Sequence, residues 1–248
     1  MLGKQKRELL GIYRMIDNPV ITMLLAPILI PQGLYTRLVT LKLPEADGLR
    51  QGLSGTGKPL KILILGDSAA AGVGVDSQEQ ALSGQLVAKL AAYCSLEWRL
   101  EAETGSKTID IIERLEQLDK FKIDVVIVSL GVNDVTANVK LETWLGLQQQ
   151  LRSILVNKFD AKVILLSSVP PMGQFPSLPQ PLRWYLGRKS KAFNSGLMQY
   201  SNQYSDLQYL DINFPMEEGY IAKDGFHPSV LAYELWAEMV AKEIKKYV

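Results

Sequence analysis

Short apolar runs alternate with helical patterns along most of this 248-residue chain, and this alternation is its most restrictive feature. Five runs have the length of β-strands, of which Ser95–Glu101 is a weaker one, and a segment with helical spacing of apolar residues follows each of them. The predicted strands are Lys61–Gly66, Ser95–Glu101, Asp124–Leu130, Ala161–Ser168 and Leu207–Ile212. The predicted helices are Glu79–Tyr93, Thr108–Lys120, Leu141–Phe159, Leu182–Tyr204 and Ser229–Tyr247.

Repeated strand–helix units of this kind form right-handed crossovers and a parallel sheet that helices cover on both faces. The sequence therefore predicts a three-layer α/β/α sandwich with a five-stranded parallel sheet in the flavodoxin-like strand order 2-1-3-4-5. In such sheets ligands bind beyond the carboxyl ends of the strands, near the switch point between the first and third strands. Ser68 follows the first predicted strand and Asn133 follows the third, so we expect both at one crevice.

Charge and composition exclude several classes of protein. Lys and Arg total 27 against 26 Asp and Glu, so the chain lacks the basic excess of a nucleic-acid-binding protein. The single cysteine, Cys94, excludes an internal disulfide framework and favours a reducing compartment, which predicts a cytoplasmic protein. With one histidine, one cysteine and no carboxylate cluster at ligand spacing, the sequence predicts no metal ion, and nothing in it indicates another cofactor.

The chain divides into two parts of unequal length. Residues 1–57 are expected to form an N-terminal extension with a short apolar segment and a linker, and residues 58–248 hold the strand–helix units. The boundary falls in residues 44–60, which are rich in glycine, proline and polar residues and predict a linker.

An apolar run, Pro19–Pro31, lies within this extension. Its 13 residues are fewer than the roughly 20 that a membrane-spanning helix needs. Pro27 should break or kink a helix there, and Pro31 should end it. We expect the run to pack on the body of the domain. The alternative is a shallow contact of residues 4–37 with a membrane surface, because basic residues surround the run.

Three polar blocks stand out, and each of them has a purely structural interpretation. Ser68, preceded by Gly-Asp, is suited to cap a turn, and Asn133, in Gly-Val-Asn-Asp, is suited to a turn or a helix N-cap. Asp224 and His227 lie three residues apart just before the last predicted helix. His227 is the chain's one histidine, so any imidazole base in this protein must be this residue.

In combination the blocks resemble the SGNH (GDSL-type) hydrolase family of bacterial esterases and acylhydrolases. The resemblance covers residues 61–248, and the residue after the first serine is alanine where the family name has leucine. The four family blocks occur in order, with Gly-Asp-Ser at Ser68, a glycine after the second strand at Gly105, Gly-x-Asn-Asp at Asn133, and Asp-x-x-His from Asp224 to His227.

The resemblance implies a serine esterase or acyl hydrolase that cleaves carboxylic esters through a catalytic triad. Ser68 would attack the ester carbonyl, His227 would act as general base, and Asp224 would orient His227. The backbone N–H groups of Ser68 and Gly105 and the side-chain amide of Asn133 would form the oxyanion hole.

The segment Val169–Lys191 bears on the substrate, because it follows the fourth predicted strand at the same end of the sheet as the site. It is either an ordinary packed loop or an apolar wall for an acyl or aryl group. Together with Val73, Val135 and Phe226 it favours lipophilic esters over sugar acetates. Its large apolar side chains are Met172, Phe175, Trp184 and Tyr185.

Two alternative functions stay open at this point. The same site would also suit acyl transfer or the hydrolysis of an acyl-CoA thioester. A protein of another class, a catalytically silent peripheral-membrane module, would keep the same fold. The expected partner is a small-molecule ester or thioester and not a nucleic acid, and the sequence does not indicate the oligomeric state.

Overall fold

The computed structural model describes residues 19–247. They form the predicted three-layer α/β/α sandwich, with helices on both faces of a central sheet. The strands are β1 (Gln51–Ser54), β2 (Pro59–Gly66), β3 (Ser95–Ala102), β4 (Val125–Ser129), β5 (Val163–Ser167) and β6 (Leu207–Leu210). The helices are α1 (Pro19–Val39), α2 (Leu82–Leu90), α3 (Thr108–Gln117), α4 (Val132–Thr136), α5 (Leu141–Phe159), α6 (Leu182–Ser201) and α7 (Val230–Ile244), and Met172–Gln174 form a 3₁₀ turn.

The sheet has the strand order β1-β3-β2-β4-β5-β6. Strands β2 to β6 are parallel and reproduce the predicted order 2-1-3-4-5 when they are counted from β2. The predicted number of five strands was wrong, because β1 pairs antiparallel with β3 and adds a sixth strand at the edge. Strand β1 lies inside residues 44–60, which were predicted as a linker. Its four residues carry one large apolar side chain, Leu53, so pairing with β3 and not local propensity determines its conformation.

The two faces of the sheet are buried against different helices. On β2, Leu63 and Leu65 pack in a core with α3, α5 and α6, whereas Ile62 and Ile64 pack in a second core with α2 and α7. A strand that is buried on both faces appears in the sequence as an unbroken apolar run, which is why β2 was recognisable.

Helix α1 is longer than the sequence analysis predicted. It continues through Pro27 and Pro31 to Val39, so the expected break at Pro27 and the expected end at Pro31 were wrong. Both prolines are exposed, so the backbone hydrogen bonds that they remove are lost on the outer side of the helix. Residues 20–39 are long and apolar enough to cross a membrane by length and composition, with a mean hydropathy of 1.2. Residues 4–18 of the predicted membrane-contact stretch lie outside the described residues.

Candidate active site

A tight turn after β2 presents Ser68 at the carboxyl edge of the sheet. Gly66 has no room for a side chain, because a Cβ there would lie 2.4 Å from the Cβ of Ala70 and 2.7 Å from the carbonyl oxygen of Ser129. The buried Asp67 accepts a hydrogen bond from the backbone N–H of Ala69 at 3.1 Å. The close packing at Gly66 and the hydrogen bond of Asp67 therefore both belong to the tight turn that carries Ser68.

Helix α7 fixes the same turn from the other side of the site. The hydroxyl oxygen of the buried Tyr233 lies 2.8 Å from the carbonyl oxygens of both Ala69 and Val73. Burial raises the pKa of Tyr233 well above its usual value, so the hydroxyl stays protonated and can donate. Because α7 begins three residues after His227, this contact also links the serine turn to the histidine segment.

His227 lies between a serine and an aspartate. Its Nε2 is 2.8 Å from Ser68 Oγ, and its Nδ1 is hydrogen-bonded to Asp224 Oδ2. A carboxylate at Nδ1 favours the neutral ring with its proton on that nitrogen, which leaves Nε2 to accept the serine proton. The structure thus brings together the three residues that the sequence analysis selected for a triad.

Asp224 is held as a carboxylate. Burial by itself would raise its pKa, but hydrogen bonds from the His227 ring and from backbone N–H groups bring the pKa below its usual value. Those backbone donors are the N–H of Phe226 at 2.9 Å and the N–H of His227 at 3.1 Å, both to Oδ1. The ionised group can therefore stabilise a histidine that has taken up a proton.

The three candidate oxyanion donors follow three adjacent strands. Ser68 comes after β2, Gly105 after β3 and Asn133 after β4, and all three line one cavity. Gly105 has a φ of +88°, which favours glycine, and the space that its Cβ would occupy is open. One N–H of the Asn133 amide donates to the carbonyl oxygen of Ser106 at 3.0 Å, which ties Asn133 to the Gly105 loop.

Asp134 supports this arrangement from the interior. Its Oδ2 accepts the hydroxyl of Thr108 at 2.9 Å and the backbone N–H of the same residue at 3.2 Å. The Thr108 hydroxyl in turn accepts the indole N–H of Trp144 at 3.0 Å. Burial raises the pKa of Asp134, and the hydrogen bonds from Thr108 oppose that rise. Asp134 therefore joins α3, α4 and α5 beneath the site and does not face the cavity.

The sequence analysis missed a pair of residues that holds the Gly105 loop. Glu45 Oε1 accepts the backbone N–H of Thr104 at 2.6 Å, and Arg50 donates to the carbonyl oxygen of Ala102 at 2.7 Å. The two side chains also form an ion pair at 2.5 Å. Both residues lie in or next to the predicted linker, where two opposite charges five positions apart were a weak signal. We call this pair the Glu45–Arg50 clamp.

The cavity that contains Ser68 has a volume of about 1150 Å³. Of the aromatic and methionine side chains expected from Val169–Lys191, Trp184 is exposed and does not line it. The inner side of α1 forms a further wall, which the sequence analysis did not predict. Within residues 19–247, no three His, Cys, Asp or Glu side chains are grouped so as to hold a metal ion. The expected wall residues that do line the cavity are Val73, Val135, Met172, Phe175, Tyr185 and Phe226.

A sandwich of this kind, with a serine, a histidine and an aspartate hydrogen-bonded in series at the switch point of the sheet, has the architecture of an α/β/α hydrolase. The model of the GDSL-like lipase/acylhydrolase family matches residues 64–235. The chain belongs to this family, as its sequence resemblance predicted, and it is a hydrolase that acts on ester bonds. No curated protein matches the chain.

Solved structures with the same fold include several esterases. The psychrotrophic esterase EstA from Pseudoalteromonas is 23% identical with a TM-score of 0.56, over 75% of this chain and 97% of that one. TesA is 22% identical with a TM-score of 0.57, over 76% and 99% of the two chains. Axe2, an acetylxylan esterase from Geobacillus stearothermophilus, is 19% identical with a TM-score of 0.53, over 77% and 95%. At these identities the likeness shows the fold alone.

Proposed function

We propose that this protein is a serine esterase or acyl hydrolase that cleaves carboxylic esters of lipophilic acyl or aryl groups. Ser68 Oγ attacks the carbonyl carbon while His227 Nε2 takes up the serine proton, and Asp224 stabilises the resulting imidazolium. The backbone N–H groups of Ser68 and Gly105 and the amide of Asn133 donate to the oxyanion.

The rest of the reaction uses His227 first as a general acid and then again as a general base. His227 gives its proton to the leaving alcohol, which departs as the carbon–oxygen bond breaks and leaves an acyl group on Ser68. Water then attacks the acyl carbon, His227 takes a proton from that water, and the acid is released as Ser68 regains its proton. The observation that carries this proposal is the imidazole of His227, hydrogen-bonded to Ser68 on one side and to Asp224 on the other.

The cavity walls support a lipophilic acyl or aryl group. Met172 and Phe175, from the segment after β5, face the cavity together with Phe226, whose ring stacks edge-on against Phe175. A cavity of about 1150 Å³ is large enough for a long acyl chain. An acetyl group would leave most of this apolar surface in contact with water.

The remaining features of the chain complete the proposal. Residues 58–248 form the hydrolase domain, and residues 1–57 are an extension that adds strand β1 to the edge of its sheet and contacts a membrane surface through residues 4–37. The partner is a small-molecule ester and not a nucleic acid, in keeping with the near balance of charge. The location is the cytoplasmic side of a membrane, which the single free cysteine, Cys94, supports.

Covalent labelling with a fluorophosphonate tests the nucleophile. The related EstA structure is described as inhibited by monoethylphosphonate, which supports this choice of probe. Labelling should be lost in Ser68→Ala and strongly reduced in His227→Ala, while Asp224→Asn should lower kcat by about 10⁴-fold. Ser195→Ala is the matched control, because that serine is bonded within α6, outside the cavity. Equal labelling of wild type and Ser68→Ala would refute the proposal.

A series of p-nitrophenyl esters from acetyl to dodecanoyl tests the acyl group. Burial of each methylene contributes about 0.8 kcal/mol, so kcat/KM should rise by up to about fourfold per methylene until the cavity is filled. A preference for the acetyl ester would remove the lipophilic part of the proposal and leave the triad intact. Product analysis with added alcohols separates hydrolysis from acyl transfer, since a transferase would form new esters.

A further inference from the structure

Helix α1 exposes a long apolar side. Its most exposed large apolar residues are Leu38 at 83%, Met23 at 78% and Leu24 at 72%. The helix has 21 residues and is therefore about 30 Å long, which equals the thickness of the apolar core of a bilayer. An apolar surface of this length marks a binding face for an apolar partner.

The other side of α1 is attached to the body of the protein. The hydroxyls of Thr22 and Tyr185 are 3.5 Å apart. The side chain of Gln32 donates to the carbonyl oxygen of Gln180 at 2.6 Å and accepts the backbone N–H of Leu182 at 3.1 Å. These contacts are ten residues apart on α1, which is about 15 Å along the helix. A helix held to the body over this length lies beside it and cannot cross a bilayer without losing the contacts.

Part of α1 belongs to both the exposed side and the catalytic cavity. Ile30 and Leu34 are 60% and 58% exposed, and both also line the cavity that contains Ser68. Leu29, one position from Ile30, is buried in the core of the body and lines the same cavity. The cavity therefore opens along the apolar side of α1.

The charged residues of α1 and of the segment that follows it to Glu45 have one sign. Between Asp17 and Glu45 the sequence has two charged residues, Arg37 and Lys42, and both are basic and line the cavity. A second copy of this chain would bring the same two basic residues to its own α1, with no acidic residue in that stretch to pair with them. An anionic phospholipid surface supplies both the apolar phase and the opposite charge.

We infer that α1 lies flat in one leaflet of a bilayer that contains anionic phospholipid, and that the cavity takes its substrate, a bilayer-resident acyl ester, through the opening at Ile30 and Leu34. The identity of the substrate rests on the proposed ester hydrolysis, whereas the docking of α1, which deepens the proposed membrane contact, does not. In this arrangement the acyl chain passes from lipid to cavity along one helix and never crosses water.

Vesicle flotation of the full chain carrying Ser68→Ala tests the docking without any turnover. Binding should be stronger to phosphatidylcholine vesicles that contain phosphatidylglycerol than to phosphatidylcholine alone. The triple variant Met23→Gln, Leu24→Gln, Leu38→Gln should bind at least tenfold more weakly, because it removes three exposed apolar side chains. The control Leu49→Gln, Leu53→Gln, whose leucines are 72% and 79% exposed elsewhere, should bind like the parent. Equal binding of the triple variant and the parent would overturn the inference, as would a dimer that the triple variant dissociates.

The basic residues have a separate test. Near an anionic surface each contributes about 1 kcal/mol, which is about fivefold in binding. Arg37→Gln and Lys42→Gln should each weaken binding to the anionic vesicles by about that factor and leave binding to phosphatidylcholine unchanged. An equal loss on both kinds of vesicle would contradict the charge assignment.

Probes at three positions separate a flat helix from a spanning one. With single cysteines at positions 23, 30 and 38 in a Cys94→Ala background, a fluorophore should report the same shallow depth at each position. A deep probe at position 30 with shallow probes at the ends would show a spanning helix and overturn the inference.

Hydrolysis of two substrates separates this inference from the proposed function. In the catalytically active chain, the triple variant should hydrolyse soluble p-nitrophenyl butyrate like wild type, because none of its three residues lines the cavity. It should lose most of its activity on p-nitrophenyl palmitate embedded in anionic vesicles. If wild type hydrolyses neither ester, the proposed function fails, and flotation still decides the docking. If the triple variant hydrolyses the embedded ester like wild type, entry along α1 is wrong.

Discussion

The two sides of the cavity that contains Ser68 are built by different means. On the strand-end side, Ser68, Gly105 and Asn133 each follow a parallel strand, so the hydrogen-bonded sheet determines their relative positions. On the N-terminal side, α1 and the Glu45–Arg50 clamp reach the site through tertiary contacts made by side chains. In our proposals the strand-end side carries the chemistry, and the N-terminal side supplies an acyl wall and supports one loop.

This difference predicts how variants on the two sides behave. A donor that acts on the oxyanion should affect kcat equally for every ester, because the oxyanion is the same in all of them. A residue that acts through the wall should affect long-chain esters and leave short ones alone. The clamp is the informative case, since it belongs to the N-terminal side and holds the Gly105 loop of the strand-end side.

On the strand-end side, the largest effect after loss of the nucleophile Ser68 is expected from Asn133→Ala. Loss of one oxyanion donor lowers kcat by about 10²- to 10³-fold, and acetyl and long-chain esters should lose the same factor. Steady-state kinetics on both esters measure this, and thermal melting controls for the lost hydrogen bond to Ser106. A loss confined to long-chain esters would move Asn133 from the chemistry to the acyl wall.

The pH dependence of stability distinguishes the two sides by sign. Burial raises the pKa of Asp67, on the strand-end side, from its usual 3.8 to about 6. The folded protein therefore binds a proton that the unfolded chain has released, and the stability that this proton provides is present below about pH 4 and lost as pH rises through 6. The difference of about two pH units corresponds to up to about 3 kcal/mol. In Asp67→Asn, melting temperatures at pH 4.5 and 7.5 should differ less than in wild type.

Glu45, in the clamp, is the control of opposite sign. Burial alone would raise its pKa, but the backbone N–H of Thr104 and the charge of Arg50 bring it below its usual 4.5. Stability from this group is therefore present above about pH 4.5 and lost in acid. Glu45→Gln should lower the melting temperature at pH 7.5 and have less effect near pH 3. The same sign of pH dependence in both variants would contradict this assignment.

The strands and candidate residues of the strand-end side could be predicted from the sequence because each of their sequence signals is local. A strand buried on both faces is an unbroken apolar run, and a turn directly after it carries the candidate residue, as at Ser68 and Asn133. The pairing of His227 with Asp224 needs three residues of chain. The contact of His227 with Ser68 spans 159 positions, and the family resemblance alone predicted it.

The structure of the N-terminal side could not be predicted from the sequence, because it depends on contacts with residues that are distant in sequence. Strand β1 exists through pairing with β3, and Arg50 reaches the carbonyl of Ala102 from a stretch of linker composition. Prolines within α1 predicted a break, yet contacts with α6 and a continuing apolar pattern to Val39 sustain the helix. Local helix and strand propensities cannot predict such elements, because contacts with distant residues stabilise them.

The smallest effect, and the one that most sharpens the comparison, is expected from the clamp. Arg50→Ala removes the hydrogen bond to Ala102 and the ion pair with Glu45, so the Gly105 loop loses a support without losing a residue of the site. We expect kcat to fall about tenfold with little change in KM for acetyl and long-chain esters alike, because a loosened donor weakens transition-state binding only.

Arg50→Lys should recover part of this loss, since a lysine can reach one of the two acceptors but cannot present the planar fork that engages both. Arg99→Ala is the matched control, because Arg99 also forms an ion pair beside β1, but with Glu101 of its own strand β3. If Arg50→Ala and Arg99→Ala lower the melting temperature alike and neither changes kcat, the clamp only stabilises the fold. A fall in kcat for Arg50→Ala alone would mean that the N-terminal side contributes to the chemistry as well as to the wall.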